Sequence, residues 1–237
     1  MSILENSYEG ETCYILNCGP SLKEYTPEYL EETLKDKLVF SVKQAKDYIP
    51  GLTDFHFFNC ANLPAPDNPF IPEHYKYDEN EPIIVGSSNY PLHTRWHKFQ
   101  KHDVFFKIPI RTEINNEFLC LTKEFDKYMI SNSIERPCGP GIMYETVIYM
   151  AAHLGVKKIV ALGWDLSSVD PDNDNQYEHF YDSNQKFSSK GDILPWEISI
   201  TCKASEDLFN WLKSKDIELE ISSKQSSLYK EIPRVRI

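Results

Sequence analysis

Clustered positive charge is missing from this sequence. There are 25 Lys and Arg against 36 Asp and Glu, for a net charge of -11, and the basic residues are scattered, as in Lys157-Lys158 and Arg234/Arg236. Nucleic-acid binding needs clustered Lys and Arg to displace condensed counterions, so no nucleic-acid partner is expected. A small phosphorylated ligand stays compatible, provided its site is local and made of loop amides plus one or two side chains. Paired cysteines are missing too: Cys13, Cys18, Cys60, Cys120, Cys138 and Cys202 lie far apart with no CxxC. That argues against a disulfide scaffold or a zinc ribbon and fits a reducing compartment. No apolar run approaches the roughly 20 residues of a membrane span, and Met1 to Thr12 is polar and acidic rather than a signal peptide. The expectation is a soluble, cytoplasmic protein. Glycine is scarce, 9 against 15 prolines, and there is neither a P-loop nor a G-x-G-x-x-G fingerprint.

What is present is an ordinary globular balance, 41% hydrophobic and 26% charged over 237 residues. That length suits one domain spanning 1–237. Short β-forming runs at Cys13 to Leu16, Leu38 to Val42 and Phe55 to Phe58 alternate with an amphipathic stretch at Pro27 to Leu38 and the breaker Tyr48-Ile49-Pro50-Gly51. Asn59 to Tyr90 reads mostly as loop, with one strand at Pro82 to Gly86. Next come a short helix near Leu92 to Gln100, a strand Val104 to Ile108, a helix from about Glu117 to Ile130, and a buried helix Ile142 to Leu154 capped by Gly155. Lys157 to Gly163 is charged only at its entry and apolar thereafter, as befits a central parallel strand covered on both faces. From Ser167 to Trp196 runs a long polar stretch of the kind that forms lids. A helix Thr201 to Lys213 and a strand Glu218 to Ile221 follow. The fold class is α/β, a Rossmann-like, mostly parallel sheet flanked by helices, with a long lid-like loop region.

Several segments fit ligand chemistry. Asn17-Cys18-Gly19-Pro20-Ser21 ends the first strand and leads toward a helix, so its amides and serine hydroxyl either meet a nucleotide phosphate or ribose, or simply turn the chain. Gly139-Pro140-Gly141 offers a second helix N-terminus, with Arg136 upstream either pairing a phosphate bidentately or lying on the surface. Asp165 sits at the carboxyl end of the central strand, where open α/β sheets bind ligands, or it caps a turn. His179, within Tyr177-Glu178-His179-Phe180-Tyr181, is the preferred general base among seven histidines. His93 and His97 lack a third ligand and read as solvated helix residues, and His56 reads as a packed strand residue. Asp170-Pro171-Asp172-Asn173-Asp174 offers either a metal motif or a solvated acidic loop. The calcium-loop form lacks its glycine and has Tyr181 where the closing Glu belongs. No metal is expected.

Taken in order, these pieces resemble the bacterial sialyltransferases of glycosyltransferase family 42. Asn17-Cys18-Gly19-Pro20-Ser21-Leu22-Lys23-Glu24 resembles the family's Gly-Asn-Gly-Pro-Ser-Leu-Lys-Glu, and Val39 to Gln44 its second strand, which ends in Asn-Gln. Asn62 falls at another donor-contacting asparagine, Arg136 with Gly139-Pro140-Gly141 resembles Arg-x-Thr-Ser-Gly, and Gly163-Trp164-Asp165 resembles Gly-x-Asp. His179-Phe180-Tyr181 matches the catalytic His-Tyr, and Ser226-Ser227-Leu228 a late Asn-Ser-Leu. Cys18, Lys43 and Ser167 depart from the family's asparagine, asparagine and tyrosine. The resemblance implies a metal-independent glycosyltransferase, without a cofactor, moving a sugar from a nucleotide-linked, CMP-type donor to a glycan hydroxyl. His179 and Arg136 would be catalytic. Asn17 to Ser21, Lys43, Gln44, Asn62, Gly139 to Gly141, Asp165 and Tyr181 would hold the donor, and the chain would form a homo-oligomer. Related proteins are described as pterin pyrophosphokinase-like, which leaves a Mg²⁺-dependent pyrophosphoryl transfer open, as is a non-catalytic nucleotide-binding role.

Overall fold

The computed structural model describes residues 3–59, 82–88, 104–107, 142–165, 193–224 and 226–237. Among them, seven strands form one sheet: β1 (Thr12–Leu16), β2 (Leu38–Val42), β3 (Phe55–Asn59), β4 (Ile83–Ser88), β5 (Val104–Lys107), β6 (Lys158–Leu162) and β7 (Glu218–Ile221). Their order is β5-β4-β3-β2-β1-β6-β7. Every pairing is parallel, so the mostly parallel sheet expected from the sequence is here wholly parallel among the described residues.

Strand alternation sends side chains to two apolar layers. Cys13, Ile15, Leu38, Phe40, Phe55, Phe57, Ile159 and Ala161 face one cluster; Leu16, Val39, Val160 and Leu162 face the other. The register Ile15↔Phe40 and Phe40↔Phe55 stacks these residues across strands, and Phe40 lies 4.9 Å from both Phe55 and Phe57 between ring centroids. Fully burying a side chain of this kind stabilises by about 1.5–3 kcal/mol. The first layer is covered by α2 (Ile148–His153) and by Ala204, Leu208, Trp211 and Leu212 of α3 (Ile193–Ser214). The second is covered by Leu30 and Leu34 of α1 (Pro27–Leu34), one turn apart, and by Leu22, Ala45 and Ile49 of two 3-10 helices, Pro20–Glu24 and Lys43–Tyr48.

Local rules account for the helix ends. Pro27 opens α1 at a position whose N–H needs no partner, and the Thr26 hydroxyl accepts the Tyr29 amide at 3.3 Å. α1 stops at Leu34, earlier than expected, because Leu38 is already committed to β2. The helix expected from Ile142 begins as a π-helix, Met143–Val147, before continuing as α2. There the Thr146 hydroxyl donates to the Ile142 carbonyl at 3.1 Å, competing with the backbone for that acceptor. α3 begins at Ile193 rather than Thr201, so the polar stretch expected up to Trp196 gives way to helix earlier. Pro195 is tolerated because first-turn amides lack an intrahelical partner. The expected helices at Leu92 to Gln100 and Glu117 to Ile130 lie outside the described residues. No helix among the described residues is long and apolar enough to cross a membrane.

Gly155 ends α2 with φ +80°, and Val156 N–H reaches back to the Ala151 carbonyl at 3.4 Å. An added Cβ would stand 2.9 Å from Asn6 Oδ1 and 3.1 Å from Asn6 Cα, where the N-terminal segment docks through Tyr8 N–H to Leu154 O at 2.9 Å. Gly155→Ala is therefore expected to cost about 1–3 kcal/mol, read as a lower denaturant midpoint at unchanged slope.

Candidate ligand-binding site

The order of strands locates the crevice. From β1 the chain steps outward through β2, β3, β4 and β5, then returns to the opposite flank of β1 for β6 and β7. The chain leaving β1 enters the α1 layer, whereas the chain leaving β6 leads to α3 on the other face. A reversal of strand order of this kind marks the carboxyl edge at which open parallel sheets bind ligands. Asn17 to Ser21 and Gly163 to Asp165 are the loops on either side of it.

Pairing continues past the strands. Leu16 stands opposite Leu162, Asn17 N–H donates to Leu162 O at 2.8 Å, and Gly19 N–H donates to Gly163 O at 2.9 Å. Gly163 takes φ +67°, and a Cβ there would lie 2.6 Å from the Asn17 carbonyl, so only glycine fits. At Gly19 a Cβ would collide with the Gly163 carbonyl and stand 2.5 Å from Asp165 Oδ2. Two backbones thus approach closely enough for the buried Asp165 carboxylate to cross between them. Its Oδ2 accepts the Ser21 amide at 2.8 Å, and its Oδ1 accepts a very short bond from the Ser21 hydroxyl. The amide and hydroxyl read from the sequence as meeting an anionic ligand are here engaged by a carboxylate of the protein itself.

The edge extends along β2. Cys18 Sγ donates to Val42 O at 3.2 Å and approaches Gln44 Oε1 at 3.9 Å. Burial pushes the Cys18 thiol up to about 11 against the opposing charge of Lys43, so it serves as a protonated donor, not a nucleophile, at neutral pH. Lys43 follows β2 with φ +51°, a left-handed conformation uncommon outside glycine. His56 Nε2 lies 2.8 Å from the Lys43 carbonyl, so that nitrogen carries the proton. On the far side of β6, the Ser226 hydroxyl donates to Trp164 O at 2.9 Å and Ser227 N–H donates to Asp165 O at 3.1 Å. Arg234 secures this loop by donating to the carbonyls of Ser226, Leu228, Tyr229 and Ile232. Tyr144, in the π-helix, meets Trp164 edge-on at 5.6 Å, which brings the start of that helix to the same edge.

Of the residues the sequence singled out, Asn17, Cys18, Gly19, Pro20, Ser21, Lys43, Gln44 and Asp165 meet along this edge. Asn62, Arg136, Gly139, Pro140, Gly141, His179 and Tyr181 lie outside the described residues, as do His93, His97 and Asp170 to Asp174. Trp164, Ser226 and Ser227 stood in motifs of the resemblance but were not among the expected donor contacts; β7 beside β6 makes the loop after β7 a third wall. Ser222 and Ser223, in that loop, have buried hydroxyls without a partner among the described residues. No group of three or more His, Cys, Asp or Glu among the described residues is arranged to hold a metal.

Two expectations follow. Gly19→Ala forces Asp165 and the Gly163 backbone apart and should cost at least about 2 kcal/mol in unfolding free energy. Burial lowers the His56 pKa to about 4 from an ordinary 6.5. A base with a depressed folded-state pKa contributes stability fully above pH 6.5, lost as pH falls toward 4. That amounts to about 3 kcal/mol. Urea unfolding of His56→Gln at pH 7 and pH 4.5 should show a smaller pH difference than the unsubstituted chain; equal differences would refute the assignment.

No known family model matches this chain, and no curated protein matches it in sequence. Among solved structures it is similar to the MAf glycosyltransferase from Magnetospirillum magneticum AMB-1, at 14% identity and a TM-score of 0.56, over 97% of this chain and 34% of that one. The chain therefore spans about a third of that protein's length, and what the two share is the fold.

Proposed function

We propose that this protein is a glycosyltransferase taking its sugar from a nucleotide-linked donor. The observation that carries the reading is the meeting of the Asn17–Ser21 loop with Asp165 at the switch point of the sheet, in a fold shared with a protein named as a glycosyltransferase. The resemblance of Gly19-Pro20-Ser21-Leu22-Lys23-Glu24 to the sialyltransferase loop supports a CMP-linked donor, with sialic acid or a related sugar as the transferred group and a glycan hydroxyl as acceptor.

Such a transfer forms one bond from the acceptor oxygen to the anomeric carbon and breaks the bond from that carbon to the phosphate oxygen. The acceptor proton must leave, and the departing phosphate must be matched by positive charge or hydrogen-bond donors. In this reading the His179 imidazole takes the proton, and Arg136 with the helix start behind Gly139 stabilises the phosphate. Lys43, whose charge is felt at Cys18, supplies a cation on the β2 flank. Asn62, Gln44 and Tyr181 complete the donor contacts, and the segment 167–192 closes over them. No metal is required, because the leaving group is stabilised by the protein's own charges.

Isothermal titration with CMP, CDP, UDP, GDP and ATP, with and without Mg²⁺, tests the donor class, and a CMP preference that is indifferent to Mg²⁺ is expected. His179→Ala should lower turnover about 10²–10⁴-fold while changing nucleotide affinity less than about threefold. Unchanged turnover would remove His179 from the mechanism, and strict Mg²⁺ dependence would favour pyrophosphoryl transfer.

A further inference from the structure

Residues 226–237 wrap the outer edge of the sheet. Leu228 and Ile232 are buried in the first apolar layer, and Val235 and Ile237 pack on the second, so the chain passes from one face to the other around β7. It crosses at Arg234. Ile221 N–H donates to the Pro233 carbonyl at 3.0 Å and Val235 N–H to the Ile221 carbonyl at 2.9 Å, a parallel bridge on the outer side of the edge strand. The segment then reaches α1, where the Tyr29 hydroxyl donates to the Ile237 carbonyl and the Tyr29 ring stacks on Tyr25 at 5.9 Å.

One side chain holds both halves of the segment together. Arg234 donates through Nη1 to Tyr229 O at 2.9 Å and to Ile232 O, and through Nη2 to Leu228 O at 2.9 Å and Ser226 O at 3.3 Å. A guanidinium is planar and its donors have fixed directions, so four carbonyls meet it together only when the loop from Ser226 to Ile232 is curled around it. The same loop touches the rest of the molecule. The Ser226 hydroxyl donates to Trp164 O at 2.9 Å, Ser227 N–H to Asp165 O at 3.1 Å, and Tyr229 N–H to the Ser205 hydroxyl of α3 at 2.8 Å. Lifting Arg234 off β7 withdraws the donors from all four carbonyls, and uncurling the loop strips a half-buried guanidinium of its acceptors. Two backbone bonds at one bridge are a short pairing with the sheet, and segments held this way open locally before the whole fold does.

We propose that residues 226–237 are a strap that opens and closes as one unit at the carboxyl edge of the sheet. Arg234 is its positioning residue, coupling the anchorage on β7 and α1 to the contacts of Ser226 and Ser227 with Trp164 and Asp165. The third wall of the candidate site is then movable, and its closure depends on a tail docked on α1. The strap is a property of the fold and goes beyond the donor reading, whatever ligand the edge takes.

Native-state amide hydrogen exchange, followed residue by residue by NMR on the full chain, tests it. Neighbouring residues of the edge strand give the contrast, because Ile221 N–H donates outward to the strap whereas Ser222 N–H donates inward to Ala161 O at 2.9 Å. Expected is one common opening for the amides of Ile221, Ser227, Tyr229 and Val235, faster than that of Ser222. Arg234→Ala should speed all four together by at least about tenfold, and Tyr29→Phe, which removes the tie at the far end, by about fivefold. Arg234→Lys keeps the charge but not the planar fork and should behave like Arg234→Ala. Gly155→Ala lowers the denaturant midpoint through a contact outside the strap, so it should leave the four rates within about twofold of the unsubstituted chain. Exchange of the four at the Ser222 rate, through global unfolding alone, would overturn the proposal. A split set would do the same, with Tyr29→Phe speeding Val235 but not Ser227 and Tyr229, or Arg234→Ala speeding the loop but not Ile221 and Val235. If Arg234→Ala fails to fold, the unsubstituted chain and Tyr29→Phe decide the matter by the same criteria.

Discussion

A carboxylate spanning two strand ends organises this protein's carboxyl edge. Asp165 leaves β6 and binds the Ser21 amide and hydroxyl beyond β1, and that contact is possible only because Gly19 and Gly163 let the two loops approach without side chains between them. Parallel pairing of β1 with β6 sets the approach. The return of the chain to the far side of β1 brings the loop after β6 beside the loop after β1. An error in either glycine would reach the site through the backbone, not through a lost contact.

The loops on either side are secured differently. On the β2 flank a buried, neutral His56 holds the Lys43 carbonyl, while a protonated Cys18 thiol ties the first loop to Val42. On the β7 flank Arg234 donates to a run of carbonyls and so fixes the loop whose Ser226 and Ser227 touch Trp164 and Asp165. Both arrangements place polar groups at fixed positions beside apolar layers. Binding sites on rigid scaffolds require this, since a ligand then meets groups already oriented.

Much of the sheet was legible in the sequence. Leu38–Val42 and Glu218–Ile221 stand where their β-forming runs lie, because an apolar run bounded by charged or turn residues carries its own limits. Helix limits were less legible. α3 starts eight residues before the expected Thr201, and the π-helix at Met143 leaves no periodic trace in five residues. Asn17 to Ser21 and Asp165 could each be picked out from local context, as a strand end before a turn. That they bind one another could not, since 144 positions separate them.

Composition, strand alternation and the loop after the first strand were determined by residues adjacent in the chain, because turn chemistry, hydrophobic period and charge are local properties. The order of the strands and the partner of Ser21 were decided only by the tertiary structure. Parallel strands are joined through long crossovers, so which loop faces which follows from the path of the backbone in space. The side on which the returning chain rejoined β1 set whether Ser21 would meet a carboxylate of the protein or an anion from outside.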